Sequence, residues 1–183
     1  MSCAVIVIDV QEGLFATEPA PADAAATLAR INALTARARA AGVPVALVQH
    51  QSKSGDLAAE APGHALYRDL EVAPGDARIR KTTPDAFQQT ELADWLAERG
   101  VTQLIVCGYA SEFCVDTTVR RAAALGYPVT LAADAHTTHD KPHATGAQIR
   151  AHHNATLSSI TSFGPRIVAL PAADIVLGAP AAA

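Results

Sequence analysis

The amino-acid sequence predicts an α/β fold, a three-layer and doubly wound sheet of five or six mostly parallel strands. Short apolar runs rich in β-branched residues recur along the chain, as is typical of strands buried on both faces. Segments with apolar residues at helical spacing separate these runs, and a glycine follows the end of several of them. Strands that alternate with helices in this way form parallel sheets.

One β-α-β unit opens the chain. Residues 4–8 form a short apolar run, which predicts the first strand. The helix expected from 21 to about 41 is rich in Ala, Leu and Arg, and residues 43–48 predict the second strand. Residues 49–76 are polar and weakly periodic. A loop of that length inside a compact domain is more often functional than idle, so we expect it to set substrate identity.

The second half of the chain continues the alternation, beginning with a short period-two pattern at 78–81 and a turn at 82–87. The elements expected after it are a helix at about 90–99, a strand at 103–107, a helix at about 113–125, a strand at 129–132, a polar stretch at 134–143, a helix that ends near 160 and a strand at 167–170. No internal repeat or linker interrupts the pattern, so residues 1–183 are expected to form a single domain with a loose tail at 178–183.

Composition excludes several classes of protein. Half of the 183 residues are hydrophobic and 17% are charged, which excludes a disordered chain and predicts a large core. The formal net charge of −4 gives no basic field, so neither nucleic acid nor a membrane is expected as a partner. Three cysteines are too few for a disulfide scaffold and favour a reducing compartment. Because the chain also lacks a signal-peptide pattern and a membrane-spanning stretch, we expect a cytoplasmic protein.

Two charged residues lie at or directly after the ends of predicted strands, at the edge where open α/β sheets bind ligands. Asp9 comes directly after the strand at 4–8, where a carboxylate is costly unless a partner pairs with it. Lys81 shares one side of its strand with Ile79 and can therefore point inward, where an ammonium group needs an anion. The alternatives are a helix cap or turn residue for Asp9 and a surface lysine at a sheet edge for Lys81.

Cys114 is the candidate nucleophile. It follows the strand at 103–107 and falls near the first turn of the next helix, where free backbone amides and the helix dipole favour a thiolate. We therefore expect its thiol pKa to lie below the usual value of about 8.5. Free cysteines are more often small core residues, and Cys3 and Cys107, which lie at or within strand runs, are assigned to the core.

Three segments resemble the isochorismatase-like cysteine hydrolases, a family that includes nicotinamidases, N-carbamoylsarcosine amidase and isochorismatases. They read VIVIDVQ, KTTPDAFQQTELADWL and VCGYASEFCVDTTVRRAAALGYPVTLAADA, and they occur in the family's order. The resemblance implies a six-stranded doubly wound sheet and a catalytic triad of Asp9, Lys81 and Cys114. It also implies a cis peptide bond between Tyr109 and Ala110 that aims the amides of Ala110 and Cys114 at one point, as an oxyanion hole.

The sequence departs from the metal-binding members of that family. Nicotinamidases carry Asp-x-His after the second strand, whereas this chain has Val48-Gln49-His50. His50 and His64 without the carboxylate make a poor metal site, so we expect neither a metal nor another cofactor. The remaining histidines are interpreted as solvated loop residues (His136, His139 and His143) or as packing or interface residues (His152 and His153).

These observations favour a hydrolase that cleaves an amide, carbamoyl or lactam C–N bond of a small-molecule substrate through a thioester with Cys114. Two alternatives remain open: vinyl ether hydrolysis without an acyl intermediate, and a thiol sensor or non-catalytic binding protein with the same pocket. We expect a homo-oligomer, a dimer or tetramer, because alanine-rich helices allow close subunit contacts and members of the family are commonly oligomeric. The candidate residues of the pocket wall are Phe15, His50, Tyr67, Phe87, Tyr109 and Phe113.

Overall fold

A computed structural model describes residues 2–178 of the protein; residues 179–183 of the predicted loose tail lie outside the described residues. Six parallel strands form one sheet in the order β3-β2-β1-β4-β5-β6. The strands are β1 (Cys3–Ile8), β2 (Val45–His50), β3 (Ala77–Lys81), β4 (Gln103–Tyr109), β5 (Val129–Thr137) and β6 (Ile167–Leu170). The helices are α1 (Glu12–Phe15), α2 (Ala24–Ala40), α3 (Leu92–Glu98), α4 (Asp116–Ala124) and α5 (Gly146–Ser159). This architecture confirms the predicted doubly wound α/β fold.

Helices cover both faces of the sheet, which explains why β1 is apolar at every position. Ile6 and Ile8 belong to one hydrophobic core, whereas Val5 and Val7 belong to a second core on the opposite face. The first core includes side chains of α3, α4 and α5, and the second includes those of α2. The molecule therefore has three layers, and within the described range none of its helices is both long enough and apolar enough to cross a bilayer.

The strand order reverses between β1 and β4. β2 and β3 extend the sheet on one side of β1, whereas β4, β5 and β6 extend it on the other. The register pairs Ile8, the last residue of β1, with Gly108 of β4. Open α/β sheets bind ligands at such a reversal, beside the carboxyl ends of the two strands. The segments that begin at Asp9 and at Ala110 leave the sheet at this point.

Gly108 allows β1 and β4 to approach closely at this edge. Its φ of +117° lies in the region that favours glycine. A Cβ atom on this residue would overlap the backbone of Ile8, including its carbonyl oxygen. A residue without a side chain is therefore required where β4 passes the end of β1.

The strand β5 is longer than the sequence predicts. The predicted strand ends at 132, whereas β5 continues to Thr137 although it contains Asp134 and His136. These polar side chains have partners inside the protein: Oδ1 of Asp134 accepts a hydrogen bond from the amide of Ala172 at 2.7 Å, and His136 is bonded through both ring nitrogens. Tertiary hydrogen bonds thus replace the apolar contacts on which the prediction relied.

The helix predicted at about 113–125 consists of two elements. Ser111–Val115 forms a π-helical turn, and the regular helix α4 begins only at Asp116. The amides of Phe113 and Val115 both donate to the carbonyl of Ala110, at 3.0 and 3.1 Å. Cys114 therefore lies in a wide turn directly after β4, a kind of element that occurs often at functional sites.

Candidate active site

Asp9 lies at the carboxyl end of β1 and is almost completely buried. Its φ of +51° is left-handed, a conformation that Asp and Asn adopt more readily than most other residues. The amide of Asp9 continues the β ladder by donating to the carbonyl of Val48 at 2.9 Å. Its Oδ2 accepts a hydrogen bond from Nζ of Lys81 at 2.7 Å. A buried ion pair thus holds the carboxylate at the end of a central strand.

Lys81 is the last residue of β3, and its side chain is fully enclosed. Its Nζ lies 2.7 Å from Oδ2 of Asp9, 3.1 Å from Sγ of Cys114 and 3.4 Å from Nδ1 of His50. An ammonium group only donates and has three protons, so these contacts occupy all of them and make Nδ1 of His50 an acceptor. Burial, followed by the charge of Lys81, lowers the pKa of His50 and favours the neutral ring that this contact requires.

The Cys114 thiol does not have the low pKa that the sequence predicts. Burial has the largest effect and raises the pKa of the thiol to about 12; the charge of Asp9 acts in the same direction, and Lys81 opposes it. The prediction assumed the first turn of a regular helix, whereas Cys114 lies in the π-helical turn. In the free site the proton therefore stays on the sulfur, and a base has to remove it before the sulfur can attack.

Asp9 has a free oxygen for that proton. Within residues 2–178 its Oδ1 is buried without a hydrogen-bond partner, whereas Oδ2 is bound to Lys81. Burial is the largest influence on Asp9 and raises its pKa above the ordinary value, while Lys81 acts in the opposite direction. A carboxyl group of raised pKa is a better base, and this makes proton transfer from the thiol easier.

A crevice of about 260 Å³ opens over these side chains at the reversal of strand order. Apolar groups supply much of its wall, and the ring of Phe113, which is 57% exposed, lies at its mouth. Lys141 lines the same space and forms an ion pair with Glu112 at 3.2 Å. The residues that define the crevice are Asp9, Leu14, His50, Leu57, Pro84, Tyr109, Ala110, Phe113, Cys114 and Lys141.

The peptide bond between Tyr109 and Ala110 is cis, as the resemblance implies. The amide of Ala110 donates to no other backbone group within the described residues, and both Ala110 and Cys114 line the crevice. A free amide at a crevice wall is suited to bind an oxyanion. The oxyanion hole formed by Ala110 and Cys114 stays a prediction.

The predicted wall residues fall into separate groups. His50, Tyr109 and Phe113 line the crevice itself. Phe15 and Tyr67 lie in a second row, since the ring of Phe15 is 6.0 Å from that of Tyr109 and 5.6 Å from that of Tyr67. These two residues support the crevice wall from behind.

Phe87 does not reach the crevice, which corrects the prediction that it belongs to the wall. Its side chain is buried in the core shared with α3, α4 and α5, and it stacks on Tyr127 at 6.2 Å. The amide of Ala86 donates to Oγ1 of Thr118 in α4 at 3.2 Å, and this bond ties the segment to the helix. Phe87 therefore serves packing.

Gln11 is a structural residue that the sequence interpretation missed. Its Nε2 donates to the carbonyls of His50 and His64, at 3.0 and 2.9 Å, and its Oε1 accepts a hydrogen bond from the amide of His50 at 2.8 Å. These bonds join the ends of β1 and β2 to the long loop. His64 is itself buried, and among the described residues no group of three or more His, Cys, Asp or Glu side chains is arranged to hold a metal ion.

His136 is fully buried at the end of β5, which corrects its interpretation as a solvated loop residue. Its Nδ1 lies 2.8 Å from the hydroxyl of Ser111, and its Nε2 lies 2.9 Å from Oδ1 of Asn154. Burial is the main cause that lowers the pKa of His136 to about 4, so the ring is neutral at pH 7. This neutral ring anchors the first residue of the turn that carries Cys114.

The family model of the isochorismatase domain matches residues 3–162, a range that contains Asp9, Lys81 and Cys114. The chain belongs to the isochorismatase family. A crystal structure of an isochorismatase family protein has the same fold, with a TM-score of 0.83 at 34% identity, and the alignment covers 92% of this chain and 97% of that one. The family suggested by the three sequence segments is thereby confirmed.

Two relatives of this isochorismatase-family chain are named as hydrolases. A streptothricin hydrolase of Streptomyces noursei is 41% identical over 144 residues, which cover 78% of this chain and 57% of that protein. The chain therefore spans little more than half the length of this relative. The ureidoacrylate amidohydrolase RutB of Methylobacterium radiotolerans is 28% identical over 216 residues, which cover 98% of this chain and 81% of that protein.

Proposed function

We propose that this chain is a cysteine hydrolase that cleaves a C–N bond of a small amide, carbamoyl compound or lactam through a thioester. One observation carries the proposal: Asp9 and Cys114 line the crevice, and the enclosed Nζ of Lys81 lies 2.7 Å from the carboxylate of Asp9 and 3.1 Å from the sulfur of Cys114. A base, a cation and a nucleophile are thus within reach of one substrate carbonyl. The relative named as an amidohydrolase supports a C–N bond as the target.

Acylation begins when Oδ1 of Asp9 takes the thiol proton of Cys114. The sulfur attacks the carbonyl carbon, a C–S bond forms, and the carbonyl oxygen becomes an oxyanion that the amides of Ala110 and Cys114 bind. The C–N bond then breaks, and Asp9 gives its proton to the leaving nitrogen. Lys81 remains charged throughout and balances the negative charge as it moves between carboxylate, sulfur and oxyanion.

Deacylation reverses the roles of the same groups. Asp9 accepts a proton from a water molecule while the water oxygen attacks the thioester carbon. The C–S bond breaks, and the proton returns to the sulfur of Cys114. The products are a carboxylic acid and an amine or ammonia; for a lactam, both groups remain on one molecule.

Replacement of the nucleophile tests the covalent scheme. Cys114→Ala and Cys114→Ser are expected to lose all measurable turnover of a panel of small amides, carbamoyl compounds and lactams, while circular dichroism shows an intact fold. Cys3→Ala serves as the matched control: it removes a buried thiol at the start of β1, away from the crevice, and is expected to retain activity. Mass spectrometry of the wild-type protein with a slow substrate should show an acyl adduct on Cys114. Turnover by the Cys114→Ala protein would contradict the scheme.

The alternatives predict different outcomes in the same experiment. Vinyl ether hydrolysis needs no acyl adduct, so a Cys114→Ala protein that still hydrolyses a vinyl ether would favour that reaction. A thiol sensor or binding protein would turn over no member of the panel even with Cys114 present. The homo-oligomer stays a prediction that analytical ultracentrifugation can measure.

A further inference from the structure

A chain of hydrogen bonds leads from the crevice wall to the loop after α1. The hydroxyl of Tyr109 lies 2.7 Å from Nδ1 of His139, and Nε2 of His139 lies 2.8 Å from Oγ1 of Thr17. Oγ1 of Thr17 in turn donates to the carbonyl of Pro19 at 2.9 Å. His139 is therefore partly buried and bonded at both nitrogens, which corrects its interpretation as a solvated residue. The proposed reaction does not use this series of hydrogen bonds.

The direction of every hydrogen bond in this series follows from the bond at its outer end, between Thr17 and the carbonyl of Pro19. A carbonyl oxygen only accepts, so the single hydroxyl proton of Thr17 is committed to Pro19. Oγ1 of Thr17 must then accept from His139, which places a proton on Nε2. In a neutral imidazole the other nitrogen carries a lone pair, so Nδ1 of His139 accepts the phenolic proton of Tyr109.

The phenol of Tyr109 has no second proton to offer. Thr138 also lies next to the phenol, but its hydroxyl donates to Oε1 of Glu112 at 2.9 Å. Burial, with a smaller contribution from the charge of Glu112, raises the pKa of Tyr109 to about 12, so the phenol stays protonated at neutral pH. Tyr109 lines the crevice and its phenolic proton is committed to His139, so toward a ligand in the crevice its oxygen can act only as an acceptor.

We propose that Tyr109 is a specificity-determining residue: the Thr17–His139–Tyr109 chain presents the phenol oxygen to the crevice as a hydrogen-bond acceptor and selects substrates that carry an N–H or O–H donor beside the scissile bond. A donor-bearing substrate satisfies this oxygen, whereas an N-methylated one leaves it desolvated and unpaired. Sites built around such a hydrogen bond discriminate strongly against analogues that lack the group. The selection of substrates rests on the proposed hydrolase function, but the direction of the hydrogen bonds does not.

Protonation of His139 reverses the direction of its hydrogen bond with Tyr109. With protons on both nitrogens, Nδ1 donates to the Tyr109 oxygen, and the phenolic proton is released toward the crevice. The charged groups that act on His139 are Lys141, which disfavours its protonation, and Glu112 and Asp140, which favour it. Burial and Lys141 together keep the pKa of His139 below its ordinary value, so the acceptor state is the one present at pH 7.

The first test requires no substrate. Nitrogen-15 NMR of histidine-labelled protein at pH 7.5 reports the tautomer of each ring, and loss of one spin system in His139→Gln assigns the signal. We expect the Nε2–H tautomer for His139. An Nδ1–H tautomer in the wild-type protein would overturn the inference, whatever reaction the protein catalyses.

The second test compares pairs of ligands. N–H and N-methyl forms of the same small amides and lactams are measured for kcat/KM on the wild-type enzyme and for Kd on Cys114→Ala protein. We expect the N–H form to be favoured roughly tenfold or more, and Tyr109→Phe to lower kcat/KM for the N–H form more than for the N-methyl form, so that the preference disappears. Tyr127→Phe, which removes a phenol remote from the crevice, is the control and keeps the wild-type ratio.

The pH dependence of the ratio separates this role from a structural one. The preference for the N–H form should fall when the pH is lowered far enough below the ordinary histidine pKa for His139 to gain its proton, and in Tyr109→Phe the ratio should be flat. Because both ligands use the same triad, the titration of Asp9 and Cys114 cancels in the ratio. Equal binding of both forms, or of neither, by the Cys114→Ala protein would contradict the selection, whereas absence of turnover alone would count against the proposed reaction.

Discussion

A single proton in the crevice belongs either to the sulfur of Cys114 or to the carboxylate of Asp9. Burial pushes both groups toward their neutral forms, whereas Lys81 favours the charged form of each, and contacts with Cys114 and His50 also lower the pKa of Asp9. The site therefore holds one negative charge beside one ammonium group. This balance explains why the site contains a lysine: without Lys81, the negative charge shared by Asp9 and Cys114 would have no partner in a dry space.

Asp9→Asn should separate the ionisation of Cys114 from catalysis. Without the carboxylate charge the thiol pKa falls, so alkylation of Cys114 by iodoacetamide at pH 7 should be at least about tenfold faster than in the wild-type protein. Turnover should nevertheless drop by roughly a hundredfold or more, because no acid remains to protonate the leaving nitrogen. Asparagine is compatible with the left-handed backbone at this position, so the fold is retained.

Asp116→Asn is the control for this experiment. It removes a carboxylate two residues from Cys114 that pairs with Arg120 in the first turns of α4. Alkylation and turnover should both stay near wild-type values. Turnover at the wild-type rate in Asp9→Asn would refute the role of Asp9 as the base, and unchanged alkylation would show that its charge does not raise the thiol pKa.

The positions of Asp9, Lys81 and Cys114 could be predicted because each lies at or after the carboxyl end of a strand, and parallel strands bring these ends together. The raised pKa of the thiol could not be predicted, since it depends on how deeply the side chain is buried. The same limit applies to His139, whose partner Thr17 is 122 residues away in the chain. A histidine in a polar stretch of sequence is interpreted as solvated as long as its hydrogen-bond partners are unknown.

Among the secondary-structure elements, β4 has the most demanding geometry. It passes β1 so closely at Gly108 that any Cβ atom would overlap the backbone of Ile8, and it then leads directly into the turn that carries Cys114. From the sequence, Gly108 is recognised only as the residue that follows the strand predicted at 103–107. Contact with a distant backbone is not visible in local periodicity, and neither is the π-helical turn that follows.

Gly108→Ala should destabilise the protein by roughly 3 kcal/mol or more, or prevent folding, because backbone on both sides has to shift. Gly75→Ala, at a glycine where an added Cβ meets no atom within 4 Å, should change stability by less than about 1 kcal/mol. Chemical denaturation measures both values. A Gly108→Ala protein as stable as the wild type would show that β1 and β4 are not in close contact at this point.

The protein as a whole should lose stability in mild acid because it buries a neutral histidine. The folded pKa of His136, about 4, lies below the ordinary value of 6.5, so between these pH values the unfolded chain binds a proton that the folded protein does not. Stability therefore falls as the pH falls through this window, by about 3 kcal/mol at its lower end. The lowered pKa values of His50 and His139 act in the same direction, whereas the raised pKa of Asp9 opposes them.

Subtraction of two curves isolates the contribution of His136. The free energy of unfolding is measured in denaturant from pH 7 to pH 4 for the wild-type protein and for His136→Gln, which cannot titrate. The variant should have the flatter curve, whereas His143→Gln, which replaces an exposed histidine, should follow the wild type. Parallel curves for wild type and His136→Gln would mean that His136 is not buried in its neutral form.

The pairing of β1 with β4 joins Cys3 to Gln103, a hundred positions along the chain. On the ribosome, β1, β2 and β3 emerge first and can pair with one another, which brings Asp9 and Lys81 together. Until β4 has been synthesised, the other edge of β1 has no neighbour, and a bare apolar edge of this kind invites association with other nascent chains. The ion pair of Asp9 and Lys81 can therefore form before Cys114 has been synthesised, and we expect binding of chaperones to nascent chains to be strongest in that interval.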